Sequence, residues 1–105
     1  MSEALARLAA TVAARRAADP SRSHTAALLA RGPGVCARKF GEEAVEAVVA
    51  AVEGDRAALT AECADTLYHM LVMLASREVT LEAVLAELER REGVSGIEEK
   101  AARGR

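Results

Sequence analysis

Two apolar stretches of this chain carry acidic residues where a buried helix should have none. Residues 44–52 contain one charged residue and residues 57–76 contain two, and all three are acids. Charged side chains are rare inside proteins unless they are paired, so these acids require an explanation. With the acid just before the first stretch, they form two pairs, Glu43 with Glu46 and Glu62 with Asp65. A spacing of three residues puts the members of each pair on one face of a helix.

Four carboxylates gathered in an apolar setting repel one another, and their pKa values rise unless a cation neutralises them. The pattern therefore predicts a divalent-metal site inside a helical bundle. Every candidate ligand is a carboxylate oxygen, which favours Mg²⁺ or Mn²⁺ over zinc. Alternatively, Glu42, Glu43 and Glu46 are simply the solvated face of the first helix. The second helix argues against this alternative, because it has no other charge with which to make a solvated face.

The two acidic helices are expected to form an antiparallel hairpin. The first is predicted from about Pro33 to Glu53, and Gly54 is a natural left-handed cap for its end. Asp55 is a good N-cap for the second helix, which is expected to extend to about Arg77. Because the connection is short, the helices are neighbours and the acid pairs come level with each other.

The rest of the chain predicts further helices and no strands. Their expected bounds are residue 2 or 3 to about Ala18, Ser23 or Thr25 to Gly32, and Thr80 to residues 91–93. A capping-box pattern at residues 95–98 predicts a brief last helix over residues 98–103. No alternation of β-branched residues appears, so the predicted fold is all-α, with one domain over residues 1–105.

Apolar stripes predict how the two acidic helices pack. The first helix has a stripe that is expected to lie in the core, namely Val45, Val48, Val49 and Val52. The second has a stripe of helical period, namely Leu59, Cys63, Leu67, Met70, Leu71 and Leu74. Gly41 lies inside the first helix, where we expect it to allow another backbone to approach closely.

Composition favours an oligomer and excludes several partners. The chain has 105 residues, of which 51% are hydrophobic but only 2% aromatic, and such a core buries little area per residue. The net charge of -2 gives no reason to expect nucleic acid or an anionic membrane as a partner. No signal peptide or membrane span is evident. We expect Cys36 and Cys63 to be reduced and packed as small hydrophobes, as in a cytoplasmic protein.

The expected chemistry is metal-assisted attack of water on a phosphoanhydride, because acid-bound Mg²⁺ commonly engages phosphate oxygens. Arg38 and Lys39 stand one turn before the acids and could balance the remaining negative charge. A ferritin-like di-iron site needs Glu-x-x-His pairs, which the chain lacks. His69 is therefore interpreted as a hydrogen-bonded core or interface residue, and the role of His24 is left open.

Glu-Glu-x-x-Glu followed by Glu-x-x-Asp on the next helix resembles the signature of the MazG-like all-α nucleoside-triphosphate pyrophosphatases. Longer strings are more specific. They are Ala-Leu-Leu-Ala-Arg-Gly-Pro-Gly before the acids, Lys-Phe-Gly-Glu-Glu-Ala-Val-Glu at them, Ala-Asp-Thr-Leu-Tyr-His-Met-Leu-Val after them, and Ser-Gly-Ile-Glu-Glu-Lys near the end. Together they cover most of the chain and resemble the phosphoribosyl-ATP pyrophosphohydrolase family.

The resemblance implies Mg²⁺-dependent hydrolysis of phosphoribosyl-ATP to phosphoribosyl-AMP and pyrophosphate, the second step of histidine biosynthesis. It also implies a helical homodimer whose sites include both subunits. Glu42 would either support the metal ligands from behind or help to position the attacking water, and Lys39 would meet phosphate. The implied metal ligands are Glu43, Glu46, Glu62 and Asp65. The family often has Tyr where this chain has His24, which puts any role of that residue in doubt.

Two alternatives remain open at this point. One is a house-cleaning pyrophosphatase for aberrant nucleotides, which would act broadly on deoxynucleoside triphosphates. The other is a non-catalytic helical dimerisation module, which would leave the buried acids unexplained.

Overall fold

A computed structural model describes residues 3–93 of the chain. These residues form five α-helices and one 3₁₀ turn, and no strand occurs among them, which confirms the all-α prediction for this part. The elements are α1 (Glu3–Ala14), the 3₁₀ turn (Arg15–Ala17), α2 (His24–Ala30), α3 (Pro33–Glu53), α4 (Arg56–Ser76) and α5 (Leu81–Arg91). The predicted helix over residues 98–103 lies outside the described residues. No helix within residues 3–93 combines the length and apolarity needed to cross a membrane.

Side-chain caps fix the starts of three helices. Ser23, Asp55 and Thr80 each accept a hydrogen bond from the backbone N–H three residues later, at 3.0–3.1 Å. Each bond satisfies one of the N–H groups that a helix N-terminus leaves without a partner. Ser23, and not Thr25, is therefore the N-cap of α2. Asp55 and Thr80 cap α4 and α5, as predicted.

The hairpin of α3 and α4 is the centre of the fold. Gly54 ends α3 with a φ of 79°, a left-handed conformation that glycine adopts without strain. Its N–H bonds to the carbonyls of Ala50 and Ala51, and Asp55 then caps α4 at once. The two-residue connection makes α3 and α4 antiparallel neighbours along most of their length, as predicted.

The core lies at the open end of the hairpin, away from the Gly54 turn. Its buried residues come from all five helices: Val12, Leu28, Cys36, Leu71, Val72 and Leu81. The Cys36 thiol is fully buried and donates to the Leu28 carbonyl at 3.3 Å. On the far side of α4, the Arg16 guanidinium donates to the Ala75 carbonyl and to Glu78 Oε1. The 3₁₀ turn is therefore tied to the end of α4.

Three packing predictions are wrong within one subunit. The predicted core stripe of α3 is exposed, with exposed fractions of 48–82% for Val45, Val48, Val49 and Val52. Cys63 and Leu67 on α4 are exposed as well. A Cβ on Gly41 would meet no atom within 4 Å, so the expected close approach does not occur among the described residues. Within residues 3–93, the three remaining helices pack near the open end of the hairpin, away from these positions.

Candidate metal centre

The seam between α3 and α4 pairs residues that lie at equal distances from the hairpin turn. From the turn outward, the facing pairs are Ala50 and Ala58, Glu46 and Glu62, Glu43 and Asp65, Lys39 and His69, and Cys36 and Val72. These positions recur every three or four residues, so each helix presents one continuous stripe to the other. The seam is apolar at both ends and polar over its three central levels.

Three of the four predicted ligands lie close enough to share one ion. One carboxylate oxygen from each of Glu43, Glu62 and Asp65 lies within 4.8 Å of the others. Glu46, one level nearer the turn, interacts with both Glu43 and Glu62. It also lines a groove of about 300 Å³ beside the cluster. The structure thus brings all four acids together.

Crowding changes the pKa of two of these acids. A hydrogen bond shared with Glu46 raises the pKa of Glu43, and partial burial and the charges of Glu46, Asp65 and Glu62 raise it further. Partial burial raises the pKa of Glu62, as do the charges of Glu46 and Asp65 and a hydrogen bond shared with Glu46. In the absence of a cation, both carboxyls therefore hold their protons more tightly than an ordinary glutamate does.

Glu62 carries the clearest sign of a missing ligand. Its Oε2 is almost inaccessible to solvent and has no hydrogen-bond partner among residues 3–93. Buried polar atoms in proteins nearly always have a partner, so an orphaned carboxylate oxygen calls for one. A hard divalent cation shared with Glu43 and Asp65 would satisfy it and relieve the repulsion. The cluster could bind a metal, and its oxygen-only donors fit Mg²⁺ or Mn²⁺.

Glu42 stands beside the cluster and not in it. Its carboxylate lies 3.5 Å from Lys39 Nζ and 3.9 Å from Arg38 Nε, and its side chain is 54% exposed. Exposed pairs of this kind contribute little to stability. Their consequence is local, because they keep two cations and the carboxylate paired with them at the rim of the acid cluster.

His69 is buried as predicted, but one of its two ring nitrogens has no hydrogen-bond partner within residues 3–93. It is 7% exposed, and its Nδ1 has no partner among the described residues. Burial lowers the pKa of the imidazole, and the charges of Lys39 and His24 lower it further, against the opposing charges of Asp65 and Glu42. The ring is therefore neutral at neutral pH.

Sequence reasoning did not single out Tyr68, which orders the surroundings of His69. Its ring stands edge-on to the imidazole, with centroids 4.9 Å apart, and its hydroxyl is hydrogen-bonded to the Thr25 hydroxyl. This bond ties α2 to α4. The available signal was a lone aromatic residue with a polar tip inside an otherwise aliphatic helix, which usually finds a partner when it is buried.

The chain resembles known proteins over most of its length. The sequence model of the family described as phosphoribosyl-ATP pyrophosphohydrolase matches residues 5–92. A phosphoribosyl-ATP pyrophosphatase of Dinoroseobacter shibae is 71% identical over 94% of this chain and 97% of its own length. The enzyme of the same description from Cereibacter sphaeroides is 71% identical over 95% of this chain and 97% of its own length. The one from Rhodobacter capsulatus is 67% identical over 96% of this chain and 98% of its own length.

Proposed function

Since the chain belongs to the phosphoribosyl-ATP pyrophosphohydrolase family and so acts as a phosphoribosyl-ATP pyrophosphatase, a hydrolase of histidine biosynthesis, we propose that the reaction takes place at the acid cluster of the α3–α4 hairpin. The observation that carries this proposal is the orphaned Oε2 of Glu62, which lies in a carboxylate cluster whose members are within 4.8 Å of one another. A group of acids with no cation of its own is costly unless a ligand completes it.

We assign Glu43, Glu46, Glu62 and Asp65 as the residues that hold Mg²⁺, with Mn²⁺ as a possible substitute. The bound cation supplies charge neutralisation and polarises the phosphate oxygens that it contacts. The acids themselves fix where the triphosphate lies, because their positions are set by the seam of two long helices. Such positioning of a reacting group makes a large contribution to catalysis.

We assign Glu42 to the attacking water and Lys39 to the phosphate groups of the substrate. The exposed carboxylate of Glu42 borders the cluster without belonging to it, so it can accept a hydrogen bond from the attacking water and orient it. Lys39 is one helical turn before Glu43, and its ammonium can donate to phosphate oxygens of the substrate. In the free protein these two side chains are paired at 3.5 Å. Substrate would separate them and give each its own partner.

The same hairpin supports a homodimer, with a second copy of the chain covering the valine stripe of α3. Four valines on one helix face are 48–82% exposed among the described residues. An apolar face of this kind is unusual on a monomer and typical of an interface. Both cysteines are free thiols, which supports a cytoplasmic location.

The decisive experiment measures pyrophosphate release from phosphoribosyl-ATP with and without Mg²⁺, beside the same assay on ATP and dUTP. We expect Mg²⁺-dependent turnover of phosphoribosyl-ATP alone. Turnover of ATP and dUTP at comparable rates would instead identify a broad nucleotide pyrophosphatase. No release from any of the three would leave a non-catalytic helical module.

A further inference from the structure

We propose that His69 is a phosphate-binding residue, which together with Lys39 and His24 forms a basic subsite one helical turn beyond the acid cluster. The subsite takes phosphate groups of the substrate adjacent to those held at the acids. This inference rests on the proposed function and extends it to a residue that is otherwise interpreted as core.

The register of the hairpin places the subsite. Glu43 faces Asp65 across the seam, Lys39 precedes Glu43 by four residues, and His69 follows Asp65 by four. In antiparallel helices these steps run in the same direction, so Lys39 and His69 meet one level further from the turn. Four residues span about 6 Å along the helix axis. A triphosphate chain held at the acids can span that distance.

Burial without a partner distinguishes His69 from an ordinary core residue. The imidazole is 93% buried, since 7% of it is exposed, yet its Nδ1 makes no hydrogen bond among the described residues. The neighbouring Tyr68 is different, because its hydroxyl is hydrogen-bonded to Thr25. The two buried polar atoms without partners within residues 3–93 are Nδ1 of His69 and Oε2 of Glu62, and both belong to the polar levels of one seam.

Lys39 is the permanent cation near His69, and it favours an anion there over a second metal ion. Lys39 and His24 act on His69 as positive neighbours, whereas Asp65 and Glu42 are the negative groups that face it. Cations nearby disfavour a metal at the imidazole but attract phosphate. A neutral imidazole donates one N–H, and a phosphate oxygen is a strong acceptor for it. The ring would therefore bind one phosphate oxygen while Lys39 balances the charge.

The test compares wild-type protein with H69L and H69Q in the presence of saturating Mg²⁺. The probe is inorganic tripolyphosphate, and its dissociation constant is measured by isothermal titration calorimetry. For H69L we expect Kd for tripolyphosphate and KM for phosphoribosyl-ATP to rise roughly tenfold, the effect of losing one hydrogen bond to a charged group. We expect kcat to change less than threefold. H69Q keeps a donor on a side chain of similar reach and should recover part of the affinity.

The controls separate binding from folding. Y68F removes the neighbouring hydroxyl but leaves the imidazole, so Kd for tripolyphosphate should stay within twofold of wild type. H69L removes a buried polar atom that has no partner, so its unfolding temperature should not fall below that of the wild type. If H69L does not fold, H69A, which also lacks a side-chain donor, gives the same comparison against Y68F.

Tripolyphosphate affinity of H69L and H69Q within twofold of wild type would overturn the inference and leave His69 as a core residue. So would failure of the wild-type protein to bind tripolyphosphate. Either result is distinct from failure of the proposed function, which would appear as wild-type protein that releases no pyrophosphate from phosphoribosyl-ATP.

Discussion

The two ends of the α3–α4 hairpin differ in how completely one subunit satisfies them. At the open end, Cys36 and Val72 are fully buried among residues from all five helices, and the Cys36 thiol has an acceptor. At the turn end, the same two helices expose four valines, and one oxygen of Glu62 is left without a partner. The open end has a packed core, whereas the turn end has the exposed apolar face and the unpartnered carboxylate oxygen on which the proposed dimer and metal site rest.

We therefore expect residues at the open end to determine stability and residues at the turn end to determine activity and association. Substitutions at the open end should change the free energy of unfolding and leave turnover by the folded molecules nearly unchanged. Substitutions at the turn end should change turnover, metal binding or association. The following predictions test that division, beginning with the largest expected effect.

Leu28→Ala should give the largest loss of stability. Leu28 is 4% exposed in the core, and truncating a buried leucine typically costs about 2–5 kcal/mol through lost burial and a residual cavity. Urea unfolding measures this loss, and turnover per folded molecule should stay within a factor of about three. Leu88→Ala, at a 56% exposed position on α5, is the control and should change stability little. A loss of turnover in fully folded Leu28→Ala would mean that the two ends are coupled.

Glu43→Gln should show the opposite pattern. It removes a charge from the centre of the cluster, and pyrophosphate release should fall by about 100-fold or more, the usual scale for an electrostatic group at a reaction centre. The free energy of unfolding in EDTA should stay the same or rise, because repulsion with Glu46, Asp65 and Glu62 is relieved. Glu89→Gln makes the same change on the exposed face of α5 and should retain wild-type turnover. Wild-type activity in Glu43→Gln would refute the assignment of the site.

The sequence predicted the helices and the register of the hairpin, but not which faces of the hairpin are buried. The helix starts at Ser23, Asp55 and Thr80 could be predicted, because capping depends on the chemistry of only a few neighbouring residues. The meeting of Glu43 with Asp65 could also be predicted, because a two-residue turn fixes the register of a helix pair. Burial could not be predicted in the same way, since an apolar stripe such as that of Val48 looks identical whether the same chain or a second copy covers it.

His69 shows a further limit of sequence reasoning. An apolar helix around a histidine predicts burial, and the ring is indeed 93% buried, since 7% of it is exposed. Whether its nitrogens find partners depends on where the side chains of three helices end, which no spacing rule encodes. The acids were recognisable because four like charges together are costly in any arrangement.

Val48→Arg should convert the proposed dimer into monomers. Its side chain lies in the middle of the exposed stripe and is 61% exposed in the subunit, so arginine is tolerated by one chain but not between two apolar faces. Analytical ultracentrifugation should show half the wild-type mass, with helical content unchanged. Leu88→Arg, on an exposed apolar residue outside the stripe, should keep the wild-type mass. A wild-type chain that sediments as a monomer would show that the turn end needs no second copy.

The smallest expected effect is the pH dependence of the metal-free protein. The raised pKa of Glu43 means that the folded state binds its proton more tightly than the unfolded state, in which the value is near 4.5. Ionised Glu43 therefore costs stability above its folded pKa, and that cost disappears as the pH falls through this value. The lowered pKa of His69 also makes stability depend on pH, with the opposite sign, because it costs stability as the pH falls below about 6.5. This contribution is present in both wild type and Glu43→Gln, so it largely cancels in the difference between their unfolding free energies.

In EDTA, Glu43→Gln should be more stable than wild type at pH 8, and the advantage should shrink towards pH 4.5. Saturating Mg²⁺ should reverse the advantage at pH 8, because the cation stabilises only the protein that retains all four carboxylates. If the difference in unfolding free energy does not change with pH, Glu43 has the same proton affinity in both states and the turn end carries no stored repulsion.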